Sequence, residues 1–151
     1  MTQDFSTAFV VEQSPEAVFN AIRNVRAWWS GYYAETIEGD TKELNDEFSF
    51  HAGGGAHYSK QRLVEVIPGK RVVWLITESK LDFLEKKDEW TGTKVIFDIS
   101  TRDNKTELIF THAGLLPEIE CYNACAPAWS QYLRNKLLPL IISANGNTIK
   151  K

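Results

Sequence analysis

Cysteine is scarce in this chain: two residues, Cys121 and Cys125, stand four positions apart. That excludes a small disulfide-stapled scaffold, which needs several pairs. The stretch "MTQDFSTAFVVEQSPEAVF" has neither the basic n-region nor the apolar h-region of a signal peptide, so the reading is a cytoplasmic protein with free thiols. No window approaches the run of about 20 apolar residues that a membrane span needs. A basic block is also missing. The net charge is −3 with both signs scattered, which argues against a nucleic-acid or anionic-membrane binder. Low-complexity tracts, linkers and internal repeats are absent, so one domain is expected over residues 1–145, with a short flexible tail at 146–151. No G-x-S-x-G, H-E-x-x-H or Gly-Lys-Ser/Thr stretch occurs, and no cofactor is expected.

What the chain does have is aromatic surface. Phe, Trp and Tyr make up 12% of the 151 residues, and five are tryptophan. Aromatic side chains bury large areas and favour concave apolar sites. The pattern begins with an alternating strand, "DFSTAFVVEQ", then a short helix, "SPEAVFNAIRN", with Ser14 as N-cap and Pro15 at its first position. "VRAWWSGYYA" reads as an aromatic-rich connection and Thr36–Glu38 as a short strand. "EFSFHA", "HYSKQRLVEVIPG" and "KRVVWLITES" read as strands, and "TKVIFDISTRDNKTELIFTHAGL" as two strands joined at "RDNK". The stretch "PEIECYNACAPAWSQYLRNKLLPLIISAN" reads as one long helix, kinked or split at Pro127 and stopped near Gly146. Strands grouped together with helices at the ends indicate an α+β fold of six or seven antiparallel strands.

Three glycines, Gly53–Gly55, interrupt "EFSFHAGGGAHYSKQRLVEV". A phosphate loop leads from a strand into a helix N-terminus. These glycines lead from strand to strand, so they read as a hairpin turn in which glycine supplies positive φ. Taking them as the loop pairs Ala52 with Ala56, His51 with His57 and Phe50 with Tyr58. In that register Glu47, Ser49, His51, His57, Ser59 and Gln61 share a solvated face, and Phe48, Phe50, Tyr58, Val64 and Val66 point inward. Two opposed histidines fall short of the three or four ligands zinc takes, so they read as surface residues and no metal site is expected. Lys60 and Arg62 share the inward parity. Either a β-bulge returns them to solvent or they approach a cavity, where an anionic head group would be the partner.

Cys121 and Cys125 share a helix face with Ala128 and Trp129 and read as small apolar pocket-lining or core residues. Asp82, Glu85, Asp88 and Glu89, interrupted by Lys86 and Lys87, read as a solvated loop rather than a catalytic carboxylate pair. His112 closes "LIFTHAGL" on the parity of Leu108 and Phe110. It reads as a hydrogen-bonded structural residue, with a general base as the rival.

The ordered set "SPEAVFNAIRNVRAWWSG", "VIPGKRVVW", "TKVIFDI", "TELIFTHAGL" and "AWSQYLRNKLLPLI" resembles the START-like superfamily, which covers the SRPBCC and polyketide-cyclase-like domains. Within it the chain looks closest to the branch of small bacterial relatives of a chaperone activator, the activator of heat-shock-protein ATPase. The resemblance spans nearly the whole chain. It implies a helix-grip fold, a seven-stranded antiparallel sheet around a long C-terminal helix with an apolar cavity between. Mapped onto this chain, the implied ligand-binding residues are Trp28, Phe48, Phe50, Tyr58, Val64, Trp74, Ile76, Phe97, Phe110, His112, Cys121, Cys125 and Trp129.

Three functions follow as expectations. The first is binding of a small hydrophobic molecule, aromatic or lipid-like, without covalent chemistry. The second is a cyclase, aromatase or hydrolase-like enzyme using His112 or Tyr58. The third is a co-chaperone-like domain that stimulates a heat-shock ATPase, with a chaperone as partner by resemblance only. A monomer or a homodimer fits all three.

Overall fold

Alternation carries "FSTAFVV" into strand β1 (Phe5–Val11), after which the chain turns into helix α1 (Pro15–Arg23). Ser14 caps that helix, its Oγ accepting from the Ala17 amide at 3.1 Å. Pro15 lies in the first turn, where its missing N–H has no intrahelical partner to lose. Val18, Phe19, Ala21 and Ile22 form the buried stripe. Part of the expected aromatic connection is helical: α2 (Val25–Trp28) adds one turn, and Trp28 Nε1 donates to the Ile22 carbonyl at 3.0 Å. The computed structural model describes residues 5–30, 32, 34–55, 57–82, 88–115 and 122–149.

Six more strands follow: β2 (Thr36–Gly39), β3 (Glu47–Ala52), β4 (His57–Ile67), β5 (Arg71–Leu81), β6 (Lys94–Arg102) and β7 (Lys105–Ala113). They form one seven-stranded sheet in the order β1-β7-β6-β5-β4-β3-β2, and every pairing is antiparallel. Strands β2 to β7 are thus a meander, and α1 with α2 carries the chain from one edge of the sheet to the other. The β6–β7 hairpin closes on Asp103 and Asn104, whose φ angles of 52° and 67° give the two-residue turn that suits strand twist. Gly39 makes the turn out of β2 possible: its φ is +108°, and a Cβ there would lie 2.3 Å from the Glu47 carbonyl oxygen.

The C-terminal helix is continuous from Tyr122 to Ile149 but not uniform: α3 (Tyr122–Tyr132), a π-helical segment (Leu133–Leu137) and α4 (Leu138–Ile149). The expected split at Pro127 and stop at Gly146 are both absent. Pro127 lies inside α3 without splitting it. It falls early in the helix, so the one bond it removes is to a carbonyl at the helix start. Gly146 does not stop the helix, which runs through it. Trp129, Tyr132, Leu133, Leu137 and Ile141 from this helix join Phe48, Trp74, Phe97 and Phe110 from the sheet in one core. A curved antiparallel sheet around a long C-terminal helix is the α+β helix-grip arrangement.

Candidate functional site

The inner face of the sheet is set by the β3–β4 register, and that register is one residue away from the expected one. Ala52 pairs with His57, His51 with Tyr58, Phe50 with Ser59 and Phe48 with Gln61. A one-residue slip sends every side chain of a strand to the opposite face. Ser59 and Gln61 are therefore fully buried beside Phe48 and Phe50, and His57 turns inward with them instead of lying on the surface. Tyr58 points out. Its hydroxyl donates to Glu78 Oε1 at 2.9 Å, and partial burial together with that carboxylate raises its pKa. Lys60 also points out, to Glu47 at 3.4 Å. Val64 falls at the bulge between Leu63 and Glu65 and is only half-buried. Tyr58 and Val64 thus leave the expected cavity set. At Lys60 the outward orientation follows from the β3–β4 register, and the irregularities of the β4–β5 pairing fall between Lys60 and Gln61 and between Leu63 and Glu65.

The remaining expected residues converge. Trp28, Phe48, Phe50, Trp74, Ile76, Phe97, Phe110, His112, Cys125 and Trp129 are all buried. Cys121 lies outside the described residues. Cys125 is disulfide-bonded, which corrects the expectation of free thiols and removes that ground for a reducing compartment.

The rings form a continuous stack through the interior. Trp29 lies on Phe50 at 3.8 Å between centroids, on Trp129 at 5.1 Å and on Trp74 at 5.5 Å. Trp74 stacks on Trp28 at 6.1 Å, and Trp129 on Trp90 at 5.8 Å. Phe97 and Phe110 meet edge-to-face at 5.3 Å. Such contacts add to area burial and fix ring orientation.

His112 is wired into this stack through both ring nitrogens. Trp129 Nε1 donates to its Nδ1 at 3.0 Å. An indole N–H can only donate, so Nδ1 must carry a lone pair and the proton of the neutral ring sits on Nε2. Nε2 lies 2.8 Å from Thr93 Oγ1 and donates to it, while the Thr93 hydroxyl proton goes on to the Trp90 carbonyl at 2.6 Å. Burial, with a smaller contribution from His57, lowers the His112 pKa to about 3. His57, enclosed between Phe50 and Trp90 at 5.1 and 4.8 Å, is lowered to about 4 by burial, although part of the residue still reaches solvent. Both rings are neutral at pH 7. The imidazole of His112 offers no free lone pair to a substrate proton.

Among the buried polar atoms that lack a hydrogen-bond partner are Gln61 Oε1 and Trp90 Nε1 in this interior, besides Arg23 Nε and Arg62 Nε. The Gln61 amide nitrogen donates to Ser59 Oγ, and its oxygen is left without a partner. No Asp, Glu, Lys or Arg is buried among the described residues. At the other end of the stack the Tyr132 hydroxyl donates to Glu35 Oε2, beside Trp29 and Tyr32. Sequence reasoning passed over Trp29, Trp90 and Tyr132, and placed His57, Ser59 and Gln61 on the wrong face. The signal that would have corrected β4 is the parity of Leu63, which only the observed register buries with Phe48 and Phe50. A surface groove of about 730 Å³ lies away from these residues, lined by Pro15, Pro68, Lys70 and Ile99 among others.

Solved structures of similar shape include a dimeric Aha1 from Colwellia psychrerythraea, 21% identical, with a TM-score of 0.70 over 95% of this chain and 96% of that one. A protein from Chromobacterium violaceum is 17% identical with a TM-score of 0.66 over 91% and 96%. One from Bacillus halodurans is 16% identical with a TM-score of 0.66 over 93% and 99%. At these identities the likeness shows the fold. No curated protein matches the chain. The sequence pattern of the "Activator of Hsp90 ATPase homolog 1-like protein" family matches residues 12–139, most of the sheet and much of the C-terminal helix, and the chain belongs to that family.

Proposed function

We propose that the chain is a binding module that takes a small hydrophobic molecule between the sheet and the C-terminal helix and does no covalent chemistry on it. One observation carries this reading: the interior is walled by aromatic rings from α2, β3, β5, β6, β7 and α3, yet holds polar atoms that the protein itself leaves unpaired. Apolar burial supplies the affinity and the few polar groups supply orientation. An enzyme in this site lacks its expected players, because Tyr58 faces outward and the nitrogens of His112 are committed to Trp129 and Thr93. Native mass spectrometry of gently purified protein, followed by extraction, tests the reading. A discrete bound hydrophobic molecule supports it. A clean apo mass, together with unchanged tryptophan emission on titration with a panel of aromatic and lipid-like compounds, would overturn it.

Family membership supports a second reading, a co-chaperone-like or self-associating domain. The observation in its favour is that the chain's own rings stack on one another between sheet and helix. Stimulation of a purified heat-shock ATPase, and sedimentation to find whether this chain dimerises like its Colwellia relative, decide it.

A further inference from the structure

Gln61 and Trp90 are buried to 0% and 2% exposure, and each keeps one polar atom unpaired: an acceptor, Oε1, and a donor, Nε1. Buried polar groups are nearly always hydrogen-bonded, and an exception needs an explanation such as a ligand or trapped water. Both residues belong to one region. Gln61 and His57 sit on the same face of β4, and the ring of Trp90 packs against His57 at 4.8 Å. The turn that carries Trp90 is bonded to β5 opposite Gln61: the Gly92 amide donates to the Ile76 carbonyl at 2.8 Å and the Ile76 amide to the Thr93 carbonyl at 2.9 Å, while Ile76 pairs with Gln61. Two neighbouring polar groups are already spent. Ser59 is taken by Gln61 and His112 by Thr93 and Trp129. The walls contain no buried formal charge among the described residues.

We propose that Trp90 Nε1 and Gln61 Oε1 are the recognition pair of this interior and that they select an uncharged aromatic molecule bearing both a hydrogen-bond acceptor and a hydrogen-bond donor. The inference rests on the binding reading above and deepens it. An anionic ligand is disfavoured because burying an unpaired charge among these walls is far more unfavourable than burying an amide. A purely apolar ligand is disfavoured because it would leave both protein groups unpaired, the situation in which discrimination between analogues becomes large. An amide or lactam on an aromatic ring carries both groups.

The test uses the whole chain and three probes of similar size: benzamide, benzoate and ethylbenzene, titrated by calorimetry or tryptophan emission. The expected result is binding of benzamide at least about tenfold tighter than either of the others, the effect of a lost buried hydrogen bond. Trp90→Phe and Gln61→Leu should each weaken benzamide by about tenfold and leave ethylbenzene within about twofold. The comparison of probes on the unaltered protein stands even if a variant fails to fold. Equal affinity for ethylbenzene and benzamide would overturn the inference while leaving the binding reading intact, and would assign the two atoms to trapped water. Tighter binding of benzoate would overturn the uncharged-ligand inference. Binding of none of the three would also overturn it, with native mass spectrometry deciding separately on the binding reading.

Discussion

A single hydroxyl, that of Thr93, holds the relay in the core together. It accepts from His112 and donates to the Trp90 carbonyl, so its loss leaves the buried His112 N–H unpaired, while the Trp90 carbonyl keeps the Thr93 amide at 3.0 Å. Thr93→Val keeps the shape and should destabilise the fold by about 2 kcal/mol, measured by chemical denaturation. Thr93→Ser keeps the hydroxyl and should lose less than half of that. If Val and Ser variants are equally stable, the relay does not carry the stability assigned to it. His112 itself was readable from parity as an inward residue, but its role was not. The donor that fixes its tautomer comes from Trp129, 17 residues away on a different element, and no local pattern links the two.

At the scale of elements, turns divide into those whose chemistry is written locally and those that depend on a neighbour. The "RDNK" hairpin is of the first kind. Asp103 and Asn104 both adopt positive φ, so Asn104→Gly should be neutral or stabilising by up to about 1 kcal/mol, checked by thermal unfolding. Gly39 is of the second kind. Its φ of +108° and the 2.3 Å approach of the Glu47 carbonyl to a built Cβ predict that Gly39→Ala destabilises by more than about 2 kcal/mol. An Ala variant as stable as the parent would show that β2 can shift without loss. The β3–β4 turn falls between the two. The glycines were legible as a turn, but the number of residues it consumes was not. That number alone decided whether Tyr58 or His57 entered the core.

For the molecule as a whole, the two buried histidines set its response to acid. Their pKa values fall to about 3 and about 4 in the folded state, against about 6.5 when unfolded. Between these values the unfolded chain binds more protons than the folded one, so stability rises with pH and is lost as pH falls. His112 should withdraw about 2 kcal/mol between pH 7 and pH 5, and His57 less, since part of it reaches solvent. Urea midpoints at the two pH values check this, and His112→Phe should flatten the slope even though it lowers stability at pH 7. The sequence by itself determined the architecture. Strand alternation, the Ser-Pro helix start, the "RDNK" turn and the apolar run after Trp129 are local signals, each read from neighbouring residues, and together they yield a meander, a crossover and a C-terminal helix. Only the tertiary structure decided what the interior contains. Which β4 residues face inward depends on a register shared between strands, and Trp29, Trp90 and Trp129 stack because α2, the turn before β6 and α3 meet there. Gln61 Oε1 and Trp90 Nε1 become conspicuous only once burial is known, because a polar atom without a partner is a property of its surroundings and not of its residue.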